Sequence, residues 1–447
     1  MHRTIAAIAT AHGVGSVSIV RLSGTDALAI ALQLSRKQEL IPRYATLTTL
    51  YTRESILIDE VLVIYFQNPK SFTGEEVVEF QCHGGMIVAQ SILRACIEMG
   101  ARLANPGEFS KRAFLNGRMD LTQAEAIASL IEARSDDAAR ILARQMKGEL
   151  RGYIEKIRDA LLEILAYSEV VIDYAEEDLP RDVVEQIVVK LEKIQKELSR
   201  TLESSRRRSG LMQGYRVAII GKPNVGKSSL LNSLLDYERA IVSEIAGTTR
   251  DTIEEQVRIG THLIRLVDTA GIRNAHDEIE RIGIERSIAA IDNADVVIAL
   301  FDSSRVMDDE DRAIIELMEQ YGQAKPFICI LNKVDLPILF PEEALKKYSP
   351  IELSCKHDTN VLIDTLSHLM DQDNTDEEMM LISQRQIGAT SDALYAIDEA
   401  YEPLQSGELE FFSFHINQAI RSLSSITRPY ELDEMFDKMF GQFCLGK

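Results

Sequence analysis

Gly221-Lys222-Pro223-Asn224-Val225-Gly226-Lys227-Ser228 sets two glycines, a lysine and a hydroxyl at the spacing G-x-x-x-x-G-K-[ST]. Glycines there let successive backbone N–H groups turn toward phosphate oxygens, and a helix beginning at the lysine adds the positive end of its dipole. Lys227 is placed to reach β- and γ-phosphates, and the Ser228 hydroxyl to ligate Mg2+. Alone, this pattern suits ATP or GTP. Asn332-Lys333-Val334-Asp335 decides the base, because Asp335 can accept from the N1–H and 2-amino group of guanine, donors that adenine lacks there. Asp268-Thr269-Ala270-Gly271 offers Asp268 to Mg2+ and the Gly271 N–H to a γ-phosphate. Gly247-Thr248-Thr249-Arg250-Asp251 supplies Thr249 as a second hydroxyl ligand of the metal, and Ser354-Cys355-Lys356 closes the order as a base-contacting loop. Any one of these segments is as readily a plain turn; all of them in this order predict a GTP-binding domain.

Hydrolysis requires an oriented water. A Ras-type enzyme uses a Gln directly after D-x-x-G, but here that position is Ile272, which cannot hydrogen bond to water. Asp277, Glu278 and Glu280 are the nearby carboxylates. Arg250 and Arg273 give no assignable arginine finger, whereas a monovalent cation, held in part by Asn224, would supply the missing positive charge.

These residues need strands and helices to position them. Val217 to Ile220, Leu263 to Val267, Val296 to Phe301, Phe327 to Leu331 and Ile351 to Leu353 read as strands alternating with helical segments, the order of a doubly wound parallel sheet. Before it, Ser16 to Arg21 and Glu60 to Phe66 read as strands and Met86 to Met99 as a helix, which predicts a small α+β domain. Val184, Ile187, Leu191, Ile194, Leu198 and Leu202 share one helical face. The helical pattern stops at Ser204 to Gly210, Asp371 to Glu378 reads as an acidic solvated linker, and helical sequence resumes to the C-terminus. The fold class expected is multidomain α/β plus α: an N-terminal α+β domain (1–118), a helical-bundle domain in two parts (119–210 and 377–447), and an inserted P-loop, Ras-like G domain (211–376).

Composition sets limits. The 447 residues carry 49 basic and 70 acidic side chains, a net charge of −21, which excludes a chain-wide basic coat for nucleic acid. Arg206-Arg207-Arg208 therefore reads as a solvated linker. No apolar run exceeds six residues and the N-terminus lacks a signal-peptide core, predicting a soluble cytoplasmic chain. Five scattered cysteines without a C-x-x-C pair argue against a zinc cluster or a disulfide framework. Cys444 is four from the end, but Gly446 and Lys447 do not suit a prenylation box.

Thr4-Ile5-Ala6-Ala7-Ile8-Ala9-Thr10, Val20-Arg21-Leu22-Ser23-Gly24, Phe72-Thr73-Gly74-Glu75-Glu76, His83-Gly84-Gly85, Pro106-Gly107-Glu108-Phe109, Arg112-Ala113-Phe114-Leu115-Asn116-Gly117, Leu121-Thr122-Gln123-Ala124-Glu125-Ala126, the nucleotide motifs and the tail Cys444-Leu445-Gly446-Lys447 together resemble the MnmE (TrmE) family of tRNA-modification GTPases across nearly the whole chain. The resemblance implies an N-terminal folate-binding and dimerisation domain in which Arg21, Glu79 and Arg118 contact a tetrahydrofolate derivative and Lys447 reaches it from the C-terminal end. It implies a homodimer whose G domains are activated by pairing around K+, held by Asn224, Ser243, Ile245 and Thr248. GTP contacts then extend over Asn224 to Ser229, including Val225, Gly226 and Ser229, over Ser243-Glu244-Ile245-Ala246-Gly247-Thr248-Thr249, and over the two downstream motifs. The resemblance also selects Glu280 to orient the water. With a flavin-dependent partner of the MnmG (GidA) type, which brings FAD, in a heterotetramer or larger assembly, such enzymes add an aminomethyl or carboxymethylaminomethyl group at C5 of wobble uridine in tRNA. Two positions depart from the pattern. Leu445 stands where isoleucine is common, a volume-conserving change, and Arg118 where lysine is frequent, which alters the geometry of an anion contact. Cys444 has no partner base in sequence other than the cationic Lys447, so a role in chemistry and a plain terminal position stand side by side.

Two other readings compete. A ribosome-assembly GTPase switch would normally carry a basic RNA-binding module or a second G domain, whereas only one G-x-x-x-x-G-K-[ST] occurs here, between acidic helical flanks. A nucleotide-stabilised scaffold without turnover draws only on Ile272.

Overall fold

The computed structural model describes residues 3–11, 13, 15–133, 135–173, 181–207, 210, 212, 214–241, 255–260, 262–267, 281–371, 379–428 and 446. The chain divides into two compact units, one comprising 1–131, 143–195 and 388–447, the other 132–142 and 196–387.

The first unit begins with strands β1 (Ile5–Ile8) and β2 (Val17–Ser23), helix α1 (Ala27–Ser35), strands β3 (Ala45–Tyr51), β4 (Leu57–Phe66) and β5 (Val77–His83), helix α2 (Met86–Glu98), the short β6 (Arg102–Leu103) and helix α3 (Glu108–Leu115). Its sheet runs β3-β4-β5-β2-β1-β6, antiparallel except for the parallel β1/β6 pair. Alternation explains the layering. In β5 (VVEFQCH), Val78, Phe80 and Cys82 are buried on one face beneath α1 and α2, while Glu79 and Gln81 point the other way. The expected α+β character is present, with more strands than the two apolar runs suggest.

Helices α4 (Leu121–Glu132), α5 (Asp136–Met146), α6 (Glu149–Asp173) and α7 (Arg181–Arg207) follow. The predicted stripe on α7 is inward-facing, with Ile187, Leu191, Ile194, Leu198 and Leu202 buried. One expectation fails: the helix does not stop at Ser204 but continues through Arg207. Ser204 and Ser205 break the apolar pattern because they are buried as hydroxyls, and the Ser205 Oγ donates to the Thr201 carbonyl at 2.6 Å and accepts from the Leu381 N–H at 2.8 Å. Arg206 is exposed on that last turn, and Arg208 lies outside the described residues.

The second unit continues with β7 (Tyr215–Ile220), α8 (Lys227–Ile241), β8 (Glu255–Ile259), β9 (His262–Val267), α9 (Arg281–Asn293), β10 (Val296–Asp302), α10 (Asp309–Tyr321), β11 (Phe327–Asn332), β12 (Ile351–Leu353) and α11 (Asn360–Asp371). Its sheet order is β12-β11-β10-β7-β9-β8, parallel throughout except that β8 runs antiparallel to β9 at one edge. All of β10 (VVIALFD) is buried, as a central strand covered on both faces must be. Its apolar side chains divide between two cores, Val296, Ile298 and Leu300 on one side, Val297, Ala299 and Phe301 on the other. Each large side chain so buried contributes about 1.5–3 kcal/mol. The acidic stretch 372–378 lies outside the described residues.

Helices α12 (Gln384–Glu399), α13 (Tyr401–Ser406) and α14 (Leu409–Thr427) complete the chain. Helix α14 packs along α6 in the first unit, with Ser168 and Ser413 hydroxyls 3.1 Å apart. Helical sequence from both sides of the α/β unit thus forms one layer, the insertion expected for this fold class. Among the described residues, no helix is long and apolar enough to cross a membrane, no group of metal-ligating side chains is assembled, and Cys82, Cys96, Cys329 and Cys355 are free and buried.

Candidate nucleotide and folate sites

The phosphate loop leaves the carboxyl end of β7, enters α8 at Lys227, and is closely built. A Cβ on Gly226 (φ +113°) would lie 2.2 Å from the Asn332 side-chain nitrogen, and one on Gly221 would meet the Leu300 carbonyl at 2.6 Å, so glycine is required at both ends. Between them Asn224 takes a left-handed φ of +64°, which asparagine tolerates better than most residues. Lys227 Nζ donates to the Gly221 carbonyl at 2.6 Å and to the Lys222 carbonyl at 2.8 Å. Burial pushes its pKa down to about 8, with Glu310 pulling the other way. An ammonium held by two carbonyls at a helix N-terminus is short of negative charge and suits a polyphosphate. Ser228 and Ser229 lie in the first turn of α8, and the exposed Ser228 hydroxyl position fits an oxygen ligand of Mg2+.

The N-K-x-D segment has divided duties. Asn332 at the end of β11 is buried; its Nδ2 donates to the Val225 carbonyl at 2.7 Å and its Oδ1 accepts from the Cys355 N–H at 3.0 Å. It thereby ties the phosphate loop to the 354–356 loop. Lys333, itself left-handed at φ +67°, donates to the Asn224 carbonyl at 2.8 Å and pairs with the buried Asp302 at 2.6 Å. Asp335 is exposed, and its carboxyl is held below the usual range by the Ser354 hydroxyl, with His357 and Lys356 adding positive charge. Besides the Ser354 hydroxyl, that exposed carboxylate has lone pairs for donors from a purine edge. Cys355 is no nucleophile, since burial pushes its thiol up to about 12. The structure thus brings together Asn224, Val225, Gly226, Lys227, Asn332, Lys333, Ser354 and Cys355. Ser243 to Thr249, Asp268 to Gly271, Ile272, Asp277, Glu278 and Glu280 lie outside the described residues.

In the first unit, Arg21 and Glu79 face each other across β2 and β5, with Nε to Oε1 at 2.8 Å. The Arg21 guanidinium lies 5.5 Å from the Phe72 ring centroid and 5.7 Å from that of Phe109. Arg118 follows α3 and donates to the Ser71 carbonyl at 3.1 Å, its stem 3.1 Å from where a Gly74 Cβ would be. Arg21 and Glu79 thus present a donor and an acceptor beside the rings of Phe72 and Phe109. Gly446 packs against β1, where a Cβ would meet the Ile8 carbonyl at 2.4 Å. Cys444 and Lys447 lie outside the described residues.

Arg112 and Glu75 carry no signal of their role in the sequence motifs that contain them. Arg112 is buried and donates to Glu75 at 2.9 Å, to Glu108 at 3.0 Å and to the Arg3 carbonyl at 2.9 Å, while Ser23 Oγ donates to Glu75 at 2.7 Å. The 71–76 loop beside Arg21 is fastened through this network. Asp302 was also missed; a lone acid at a strand end carries no signal until its partner is known.

Comparison with known proteins identifies relatives along nearly the whole chain. Residues 4–118 match the model described as GTP-binding protein TrmE N-terminus, and residues 121–444 match the MnmE helical domain. The chain is 63% identical over 444 residues to the tRNA modification GTPase MnmE of Sulfurimonas denitrificans, covering 99% of each chain. It is 58% identical to that of Sulfurovum sp., covering 100% of this chain and 99% of the relative, and 59% identical to that of Aliarcobacter butzleri, covering 99% of each. With one G-x-x-x-x-G-K-[ST] loop, a guanine-type N-K-x-D loop tied to it by Asn332, and likeness along its whole length, the chain belongs to the MnmE (TrmE) family of tRNA modification GTPases.

Proposed function

We propose that this GTPase is the GTP-hydrolysing subunit of a cytoplasmic complex that, with a flavin-dependent partner of the MnmG type, adds an aminomethyl or carboxymethylaminomethyl group to C5 of wobble uridine in tRNA. A tetrahydrofolate derivative supplies the one-carbon unit. The domain limits taken are 118, 210 and 376, and the chain works as a homodimer. The observation that carries the reading is the Asn332 bridge, which ties the phosphate-binding loop to the 354–356 loop from the same segment that presents the Asp335 carboxylate.

Lys227 binds and neutralises the phosphates, and Asp335 selects guanine by accepting from its imide N–H and amine. Ser228, Thr249 and Asp268 would hold Mg2+; Asn224, Ser243, Ile245 and Thr248 would hold K+. When bound, the two cations offset the negative charge that develops on the transferring phosphoryl group. Glu280 orients the attacking water, work that Ile272 cannot do. In the first unit Arg21, Glu79 and Arg118 bind the folate, with Lys447 approaching from the tail that Gly446 lays against β1.

Calorimetry tests the base of this proposal: GTP binds and ATP does not, and equal affinities would overturn it. Mass spectrometry of wobble uridines in a deletion strain tests the pathway, with loss of the C5 side chain expected and an unchanged profile contrary to it.

A further inference from the structure

Lys222, the second residue of the phosphate loop, is almost fully buried, with its side chain reaching the start of α10. Its Nζ lies 2.6 Å from Asp308 Oδ2 and 2.6 Å from Asp311 Oδ2. Those two aspartates already form the capping box of α10: Asp308 Oδ1 accepts the Asp311 N–H and Asp311 Oδ2 accepts the Asp308 N–H, both at 3.1 Å. The lysine closes that box from the loop side. At its other end, the Lys222 carbonyl accepts from Lys227 Nζ. One residue is therefore fixed by its side chain to the α10 N-terminus and by its backbone to the ammonium that meets the phosphates.

Charge gives the arrangement a second consequence. Asp308, Asp309, Glu310 and Asp311 put four carboxylates at the start of α10, and Glu310 is within electrostatic reach of Lys227. Asp311 Oδ1 is buried without a partner among the described residues, so the group's donors, Lys222 and the Asp308 N–H, both meet Oδ2. Lys222 is the cation paired with both Asp308 and Asp311.

We propose that Lys222 is a positioning residue for nucleotide binding, which orients Lys227 through its own carbonyl and neutralises the acidic N-terminus of α10, so that the loop favours the more highly charged GTP over GDP. The inference rests on the nucleotide reading above and goes beyond it by assigning part of the GTP preference to a side chain that touches no phosphate.

The test is calorimetry of GTP and GDP with the full chain and its variants. Lys222→Met weakens GTP by about tenfold or more and GDP by clearly less, since repulsion grows with ligand charge, and added salt narrows the gap. Lys222→Arg keeps the charge and both affinities within about threefold of wild type. Lys222→Met combined with Asp311→Asn recovers much of the lost GTP preference, which a purely structural defect would not do. Equal weakening of GTP and GDP by Lys222→Met, or no weakening in a chain whose circular dichroism matches wild type, overturns the inference while leaving the nucleotide reading intact. A wild-type chain that binds neither nucleotide overturns that reading and this one with it.

Discussion

The 71–76 loop of the first unit and the phosphate loop of the second are each fastened by a buried cation, but the cations differ in kind. Arg112 spreads a rigid fork over Glu75, Glu108 and the Arg3 carbonyl, contacts that reach across 37 to 109 residues of sequence apart from the local Glu108 pair. Lys222 places a compact charge between two carboxylates of one helix cap. The fork specifies directions and fixes a shape; the ammonium balances charge and fixes it less tightly. A loop whose shape must be held is served by the first, and a loop that opens a phosphate-binding helix by the second.

The largest effect separating the two regions is expected at Arg112. Arg112→Met strips the half-buried Glu75 of its cation, leaves Glu108 with Arg102 alone and costs about 3–5 kcal/mol locally. Hydrogen exchange of the 71–76 amides then speeds by two to three orders of magnitude, roughly the same energy, while GTP affinity is unchanged. Loss of GTP binding in that variant would break the comparison. In the second unit, Asn332→Ala strands the Val225 carbonyl and the Cys355 N–H and costs about 2–3 kcal/mol, read as roughly a hundredfold weaker GTP binding with folate binding intact.

Protons distinguish the regions next. Lys227, lowered to about 8 by burial, is charged below that pH and neutral above it. The folded protein bears the cost of the buried charge fully below about 8 and sheds it as pH rises toward the unfolded value. Bound phosphate raises that pKa, so GTP binding near pH 9 takes up protons and its affinity falls as pH rises through about 8. Calorimetry in buffers of different ionisation enthalpy measures the uptake. Glu108 behaves oppositely. Burial disfavours its charge, but donation from Arg102, the Asn105 N–H and Arg112 outweighs that and holds its carboxyl below the ordinary value. Its contribution is present above the unfolded pKa and is lost as pH falls through the folded one, so the 71–76 amides lose protection in acid while the Asn332 bridge, made of neutral groups, does not respond. The smallest effect is expected from Arg118→Lys, which keeps the charge and gives up one hydrogen bond to the Ser71 carbonyl. Binding of a tetrahydrofolate derivative changes by less than about fivefold, within 1 kcal/mol.

The nucleotide motifs could be read from sequence because each is a run of neighbouring residues whose types meet one local demand: glycine where a Cβ would strike Asn332 or Leu300, lysine at a helix start, an acid after a strand. Strands β7, β10 and β11 were legible because a central strand covered on both faces is apolar along most of its length, and β9 and β12 showed as shorter, mostly apolar runs. Strand β8 (EQVRI) was not, because an edge strand alternates and resembles a loop. The helix through Ser204 to Arg207 was misread, because a hydroxyl that serves a distant backbone N–H looks polar and exposed until that partner is in place.

Sequence by itself determined that this chain holds a guanine nucleotide module between helical flanks, since those demands are met within a few residues. Tertiary structure decided how the module is held. Asn332 became a bridge between two loops, Lys222 turned to α10, and Arg112 closed on Glu75. The reason is that hydrogen bonds and ion pairs between segments tens of residues apart depend on distance and direction in space, and neither is written in residue type or spacing.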